Sequence, residues 1–225
     1  MTDPKFNAGF VTGLAAEAAL LEPYDVPCRA GGGGVTGAHD AAVKLCDLGV
    51  TALISFGLAG GLDPLLAPGT ILRPRGVSSA GSWFAIDPEL LDAFGGANCE
   101  AVLAGERVVC SAAEKSSLFT ASGASAIDLE SGVVARVAAN AGLPFAVLRA
   151  IADPAWVSLP DIVESALDST GRIRFGVILR YAIRSPRDVS ALVALGINAA
   201  AARKNLRERG GIARANRCTA GARLS

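Results

Sequence analysis

Histidine is almost missing from this chain: His39 stands alone among 225 residues. That excludes a His-rich zinc site, and a Ser–His–Asp triad would have to run through one imidazole whose bland reading is a surface or helix-start residue. The five cysteines (Cys28, Cys46, Cys99, Cys110, Cys218) form no C-x-x-C pair. An odd, scattered set reads as reduced thiols rather than a disulfide framework. Charge of either sign is not in excess, with 21 basic against 21 acidic residues, so no global field draws the chain to nucleic acid, and no nucleic-acid partner is expected. Long apolar runs are missing too. The longest uncharged stretch, residues 48–62, is fifteen residues with four glycines, short of the ~20 a bilayer needs. The first residues look like a secretory signal only superficially, since Asp3 offsets Lys5 and Glu17 falls inside the apolar part. A cytoplasmic protein without a bound metal is expected. Aromatics reach only 5%, which leaves Trp83 and Trp156 as the largest anchors for a flat ligand.

What the chain does have is apolar residues, 51% of the total with a mean hydropathy of +0.42, enough for a large core and against wholesale disorder. Strand-like and helix-like segments alternate. Ala8–Thr12 reads as a strand before an Ala/Leu helix start over Gly13–Leu21, and Val26–Ala30 as a second strand. Val35–Leu48 carries apolar residues at helical spacing; Thr51–Phe56 is a fully apolar strand. Gly69–Val77 is strand-like, Asp87–Phe94 helical, Ala101–Val109 a strand and Ala112–Ala121 a helix. In the clearest unit, strand Ala124–Asp128 precedes helix Glu130–Ala141, Gly142 ends the helix, and strand Phe145–Ile151 follows. Helices are expected over Arg172–Arg184 and Asp188–Arg207, split at Ser185-Pro186. The pattern predicts an α/β fold: a three-layer α/β/α domain over 1–225 with a mainly parallel, mixed central sheet. Residues 201–225 differ, with seven basic residues against Glu208 alone. They are expected to be a solvated helix end with a frayed tail; the sharper reading is a weak electrostatic contact with an anionic membrane surface.

In open α/β sheets ligands bind beyond the carboxyl ends of strands. Just after the expected strands stand Glu17, the run Gly31-Gly32-Gly33-Gly34, the turn Gly57-Leu58-Ala59-Gly60-Gly61, Asp128-Leu129-Glu130, and Asp153. Each is weak alone. The glycine quartet is either a flexible turn or a cradle of backbone N–H groups for an anion at a helix start. It is neither the G-x-G-x-x-G fingerprint in its usual place nor a P-loop. Glu130 could merely complement a helix dipole, and Asp153 merely form a turn before Pro154.

Taken together, IDLESGVVARVAANAGLPFAVLRAIADPA resembles the nucleoside phosphorylase and nucleosidase superfamily, with its acidic-Met-Glu turn, helix, Gly-Leu-Pro-Phe, strand and terminal Asp. SFGLAGGLDPLLAPGTIL is similar to its Gly-x-Ala-Gly-Gly-Leu segment, and TGLAAEAALL to its first turn. The three likenesses fall in chain order over most of residues 8–155. Within the superfamily the likeness is greatest to the hopanoid-associated phosphorylases, on GGGG, SFGLAGGLDP, DLESG, LRAIADPA and Leu159-Pro160. That branch implies removal of adenine from adenosylhopane, a nucleoside whose 5′ carbon bears a triterpenoid. Three positions depart from the family: Leu129 for its Met, Leu58 for a frequent Ser, and Ala152 for a frequent Ser before the Asp.

The resemblance implies roles. Asp153 would protonate the purine at N7, and Glu130 would bind the ribose hydroxyls and favour a cationic transition state. Asp128, Leu129, Gly57, Gly60 and Trp156 would complete the nucleoside site. The nucleophile is left open. Phosphate, as co-substrate in place of any cofactor, would use the N–H groups of Gly31, Gly32, Gly33 and Gly34, or those of Gly57–Gly61, with Arg29, and phosphorolysis is the favoured reading; water would need Glu17 as base. Arg149, within a buried strand, is expected to form a structural ion pair near Asp153. A lipid tail would lie along Ile173, Phe175, Val177, Ile178, Leu179 and Tyr181. A homo-oligomer is expected. The alternatives are a hydrolytic methylthioadenosine or adenosylhomocysteine nucleosidase and a non-catalytic nucleoside-binding protein.

Overall fold

The computed structural model describes residues 7–92, 94–160, 162–165 and 175–221. Eight strands join one mixed sheet. In chain order they are β1 (Ala8–Thr12), β2 (Cys28–Ala30), β3 (Ala52–Gly61), β4 (Leu72–Ser79), β5 (Ser82–Ala85), β6 (Ala97–Ala104), β7 (Ala126–Asp128) and β8 (Phe145–Asp153). The helices are α1 (Ala15–Ala18), α2 (Val35–Asp47), α3 (Pro88–Asp92), α4 (Ala112–Ser122), α5 (Ser131–Ala141), α6 (Ile162–Ser165), α7 (Phe175–Arg184) and α8 (Val189–Gly221). The buried runs Phe10-Val11, Leu53-Ile54 and Ala146-Val147-Leu148 on β1, β3 and β8 form the core centre, and Ala38, Ala42 and Leu45 of α2 and Val134 and Ala138 of α5 cover it. Removing such side chains from water is the main drive for closing helices onto the sheet.

β3 organises the site because it is long enough to serve three partners. β1 pairs in parallel with Ala52–Phe56, and β7 pairs antiparallel with Gly60-Gly61. β8 runs parallel to β3 from Leu53 to Gly60 on the opposite edge. The ends of β1 and β7 therefore meet along one edge of β3, facing the glycine segment between their pairings. β3 continues through Gly57, where the glycine run predicts a turn. An added Cβ at Gly57, whose φ is 154°, would lie 2.6 Å from both Arg149 Nη1 and Glu17 Oε1. Glycine here admits side chains against the strand backbone, so ladder pairing survives where turn composition predicts a break.

Other boundaries also shift. β6 begins at Ala97 and ends at Ala104, so Ala101–Val109 is not one strand. β5, not anticipated, forms an antiparallel hairpin with β4 through Ala80 (φ 47°) and Gly81 (φ 77°). The basic segment is helical as far as Gly221, and Ala202 and Leu206 on its early turns are fully buried. Residues 222–225 lie outside the described residues. Among the described residues no helix is long and apolar enough to cross a membrane.

Candidate active site

The carboxyl ends of β1, β7 and β8 and the glycine end of β3 surround a cavity of about 160 Å³. Glu17, Asp128, Leu129, Glu130, Arg149 and Asp153 all line it, with Gly33, Gly60 and Arg107. Each carboxylate arrives by a different element. Glu17 sits in α1 directly after β1, Asp128 ends β7, Glu130 caps α5, and Asp153 ends β8.

Arg149 is the hub of one half of this site. It is buried to 1% exposure on β8, in register with Gly57. Its Nη1 donates to Leu58 O at 3.0 Å, and its Nη2 donates to Ser55 Oγ at 2.8 Å and to Glu130 Oε2 at 3.0 Å. Its Nε lies 2.7 Å from Asp128 Oδ2, an ion-pair distance, yet the N–H is not aimed at that oxygen and makes no hydrogen bond. Asp128 Oδ1 accepts the Ser131 N–H at 2.9 Å, and its Oδ2 accepts the Ser131 hydroxyl. Glu17 Oε1 accepts the Leu58 N–H and its Oε2 the Leu14 N–H, both at 2.8 Å.

Three buried carboxyls thus share one buried guanidinium, and burial dominates the titration of Glu130 and Glu17. Desolvation pushes Glu130 up to about 7, because Arg149 only partly offsets it while Asp128 and Glu17 add repulsion. Burial likewise raises Glu17 against the pull of Arg149. For Arg149 burial opposes the charge, but Asp128, Glu130 and Glu17 outweigh it and hold the guanidinium protonated.

Asp153 belongs to a separate pair. The register of β3 against β8 slips by one residue between Ala59 and Gly60, so Ala59 faces Ile151 while Gly60 faces Asp153. This bulge turns Asp153 onto the opposite face from Arg149; without it, residues 149 and 153 would project to one side. The expected Arg149–Asp153 neighbourhood is therefore corrected: Arg149 pairs with Asp128 and Glu130, and Asp153 Oδ2 pairs with Lys115 Nζ at 2.6 Å. Burial raises the Asp153 carboxyl above its ordinary range, and Lys115 pulls the other way.

The anion-binding set is only partly gathered. Gly33 lines the cavity, whereas Gly31, Gly32 and Arg29 are not among its lining residues, and Arg29 is exposed on β2. Gly31 instead packs against α2, its carbonyl 1.7 Å from where a Cβ on Gly37 would lie. Trp156 is 57% exposed and off the cavity wall. Sequence reasoning missed Lys115, Ser55, Ser131 and Arg107. Arg107 follows β6, lines the cavity, and pairs with Glu114 at 2.6 Å. Among the described residues no group of three or more His, Cys, Asp or Glu side chains is placed to hold a metal.

Chemically, the cavity has a carboxyl–ammonium pair on one side of β8 and a carboxylate cluster around a guanidinium on the other. Known proteins share the fold and the family. No curated protein matches the sequence. Solved structures match much of the chain: a 5′-methylthioadenosine/S-adenosylhomocysteine nucleosidase from Neisseria meningitidis with methylthio-immucillin-A has a TM-score of 0.68 at 16% identity, covering 92% of this chain and 98% of its own. A Helicobacter pylori nucleosidase mutant with 5′-methylthioadenosine in its active site has a TM-score of 0.61 at 16% identity, covering 90% and 96%. A futalosine hydrolase mutant of Helicobacter pylori has 0.56 at 17%, covering 64% and 88%. At these identities they establish the fold. The family profile described as the phosphorylase superfamily matches residues 26–169, well over half the chain and including every cavity-lining acid except Glu17. The chain belongs to the phosphorylase superfamily, as an enzyme acting on the glycosidic bond of a nucleoside.

Proposed function

We propose that this enzyme releases adenine from a nucleoside with a bulky 5′ substituent, of the adenosylhopane type, by phosphorolysis. One observation carries the reading: Asp153 and Glu130 line the same cavity, Glu130 bonded to Arg149 on one side of β8 and Asp153 turned to the other side by the bulge. A nucleoside spanning that cavity would meet an acid at its base and a carboxylate at its sugar. The Asp153 carboxyl gives its proton to N7, the C1′–N9 bond breaks with its electrons going to the base, and a phosphate oxygen bonds to C1′. Glu130, oriented by Arg149, accepts hydrogen bonds from the ribose hydroxyls and faces the positive charge developing on the sugar. The adenine-nucleoside ligands named for the Neisseria and Helicobacter structures support the choice of base. Gly33 and Arg107 are the cavity residues suited to an anion.

Hydrolysis is the second reading, and one observation favours it. Glu17 faces the same cavity with its carboxyl raised by burial, as a general base for water needs, and three carboxyls around one guanidinium repel a phosphate dianion. Adenine release from several adenine nucleosides, followed with and without phosphate, separates the two: phosphorolysis yields the ribosyl 1-phosphate and stops without phosphate, hydrolysis yields free sugar regardless. No adenine release under either condition would sink both and leave the binding-protein alternative.

The 5′ substituent is inferred from apolar residues exposed on α7 and α8. Ile183 on α7 and Val189, Val193 and Ile197 on α8 are exposed, the last three at four-residue spacing on one helix face. Arg180, Arg184 and Arg187, also exposed, flank them. An apolar stripe edged by arginines suits an anionic bilayer carrying a lipid-linked substrate. Of the anticipated lipid wall, Ile173 and the side chains of Phe175, Val177 and Leu179 lie outside the described residues. Flotation with anionic liposomes tests the contact, and equal flotation by V193E/I197E would discard it.

A further inference from the structure

Lys115 is fully buried on α4, where the sequence of the helix gives no apolar stripe that would announce a core position. A buried ammonium persists only when its donors are satisfied. All three are: Nζ donates to Asp153 Oδ2 at 2.6 Å, to Pro154 O at 3.1 Å and to Val157 O at 3.0 Å. The helix start is stitched to the same stretch of chain, since Ala112 N–H donates to Ser158 Oγ at 3.1 Å and Leu159 N–H to Cys110 O at 2.7 Å. Lys115 is thus held as a cation at a set distance from a carboxyl that lines the reaction cavity. A purely structural lysine has no need to spend its shortest bond there.

We propose that Lys115 is a positioning residue for the reaction, occupying Asp153 Oδ2 so that Oδ1 carries the transferable proton, and stabilising the carboxylate left when that proton moves to the base. The inference rests on the assignment of Asp153 as the acid. Before transfer the ammonium faces a neutral carboxyl; afterwards it faces an anion in a buried setting. The interaction strengthens along the reaction coordinate, which is the condition for lowering the barrier rather than merely tightening binding. The balance closes within the site. The proton leaves Oδ1 for N7, the C1′–N9 electron pair leaves with adenine, and Asp153 regains the proton that the attacking phosphate or water sheds. Lys115 keeps its three protons throughout, two of them bound to backbone carbonyls.

The test uses the full-length protein with K115M, which is close in length and uncharged. K115Q, which keeps an N–H donor for the carbonyls of Pro154 and Val157, is measured beside it so that a folding defect in one does not decide the matter. Activity requires Asp153 protonated, and the ammonium holds that proton more weakly. Its removal therefore moves the alkaline limb of the kcat/KM profile to higher pH. The other ionisable groups on the cavity, Glu17, Asp128, Glu130, Arg149 and Arg107, are unchanged, so a limb set by any of them stays in place. The expected result is a fall in kcat of about 100-fold, a KM changed by less than about 3-fold, and the displaced limb. K115R retains the charge and is expected to keep the wild-type limb even where kcat falls. A folded neutral variant with wild-type kcat and an unmoved limb overturns the inference. D153N keeps the two failures apart: if it is inactive while the Lys115 variants behave as wild type, only the role of Lys115 is lost, whereas an active D153N removes the assignment beneath it.

Discussion

Replacing Glu130 with glutamine deletes one titrating site from a cluster whose burial works against ionisation. The side chain is 8% exposed and sits at 3.0 Å from Arg149 Nη2, yet its carboxyl titrates near 7 rather than at the ordinary 4.5, because lost hydration outweighs the guanidinium and the neighbouring Asp128 and Glu17 add repulsion. The sign follows from proton binding. Between pH 4.5 and 7 the native protein holds a proton here that the unfolded chain releases, so stability is full below the unfolded value and declines as pH rises through the native one. At about 1.4 kcal/mol per pH unit, that window corresponds to roughly 3 kcal/mol lost by neutral pH. Glutamine is neutral throughout and its carbonyl can still accept from Arg149. The stability of E130Q relative to wild type should therefore rise by about 3 kcal/mol between pH 4.5 and 8, while adenine release falls because the ribose loses its anionic partner. Urea unfolding at pH 4.5, 6, 7 and 8, followed by circular dichroism for both proteins, measures the difference. A difference that stays constant with pH would refute the account of the cluster, whatever the activity.

Two further substitutions probe the same centre. G57A forces a Cβ to within 2.6 Å of Arg149 Nη1 and Glu17 Oε1 at a φ of 154°, so strain and overpacking together should cost about 3 kcal/mol or more and abolish turnover; a urea midpoint within error of wild type would show that the strand–arginine contact is not tight. R149M removes the guanidinium shared by three buried carboxyls on the cavity and should cost about 3–5 kcal/mol at pH 8. Its loss should be smaller at pH 5, where Glu130, raised to about 7, is protonated, and thermal unfolding at the two pH values checks the ordering.

How far this centre is legible from composition and spacing differs from residue to residue. β1 has the bounds its apolar run implies, and α5 ends where Gly142 adopts a left-handed φ of 66°. Both signals are local: an apolar segment flanked by polar residues, and a helix stop that only glycine makes without strain. Glu17, Asp128, Glu130 and Asp153 are legible because carboxyl ends of strands collect on one rim and their positions follow from counting strands. Which acid faces which cation is another kind of fact. It depends on the one-residue slip between Ala59 and Gly60 that turns Asp153 away from Arg149. Nothing in LRAIADPA marks that slip, since a bulge is a property of two paired strands rather than of one.

Lys115 and the glycines of β3 fail to stand out for related reasons. A lysine in AAEKSSLFTAS reads as solvated on any helical wheel, and its burial appears only when the carbonyls of Pro154 and Val157 close over α4 from a segment some forty residues later. Gly57–Gly61 reads as a loop because loops favour glycine, whereas here the lack of a Cβ is what lets Arg149 and Glu17 reach the backbone of a continuous strand. In both places a polar group lies deep in the fold because another part of the chain supplies its partner. Rules built on the immediate neighbourhood assign such groups to the surface, and the same long-range closure that hides them assembles the cavity. A glycine segment that keeps strand hydrogen bonds, and a lysine whose three donors are spent on one carboxyl and two carbonyls, are thus consequences of a single requirement: the reacting acids sit in a desolvated setting that raises Glu130 to about 7 and Asp153 above its ordinary range, and the cations that temper them must be buried alongside.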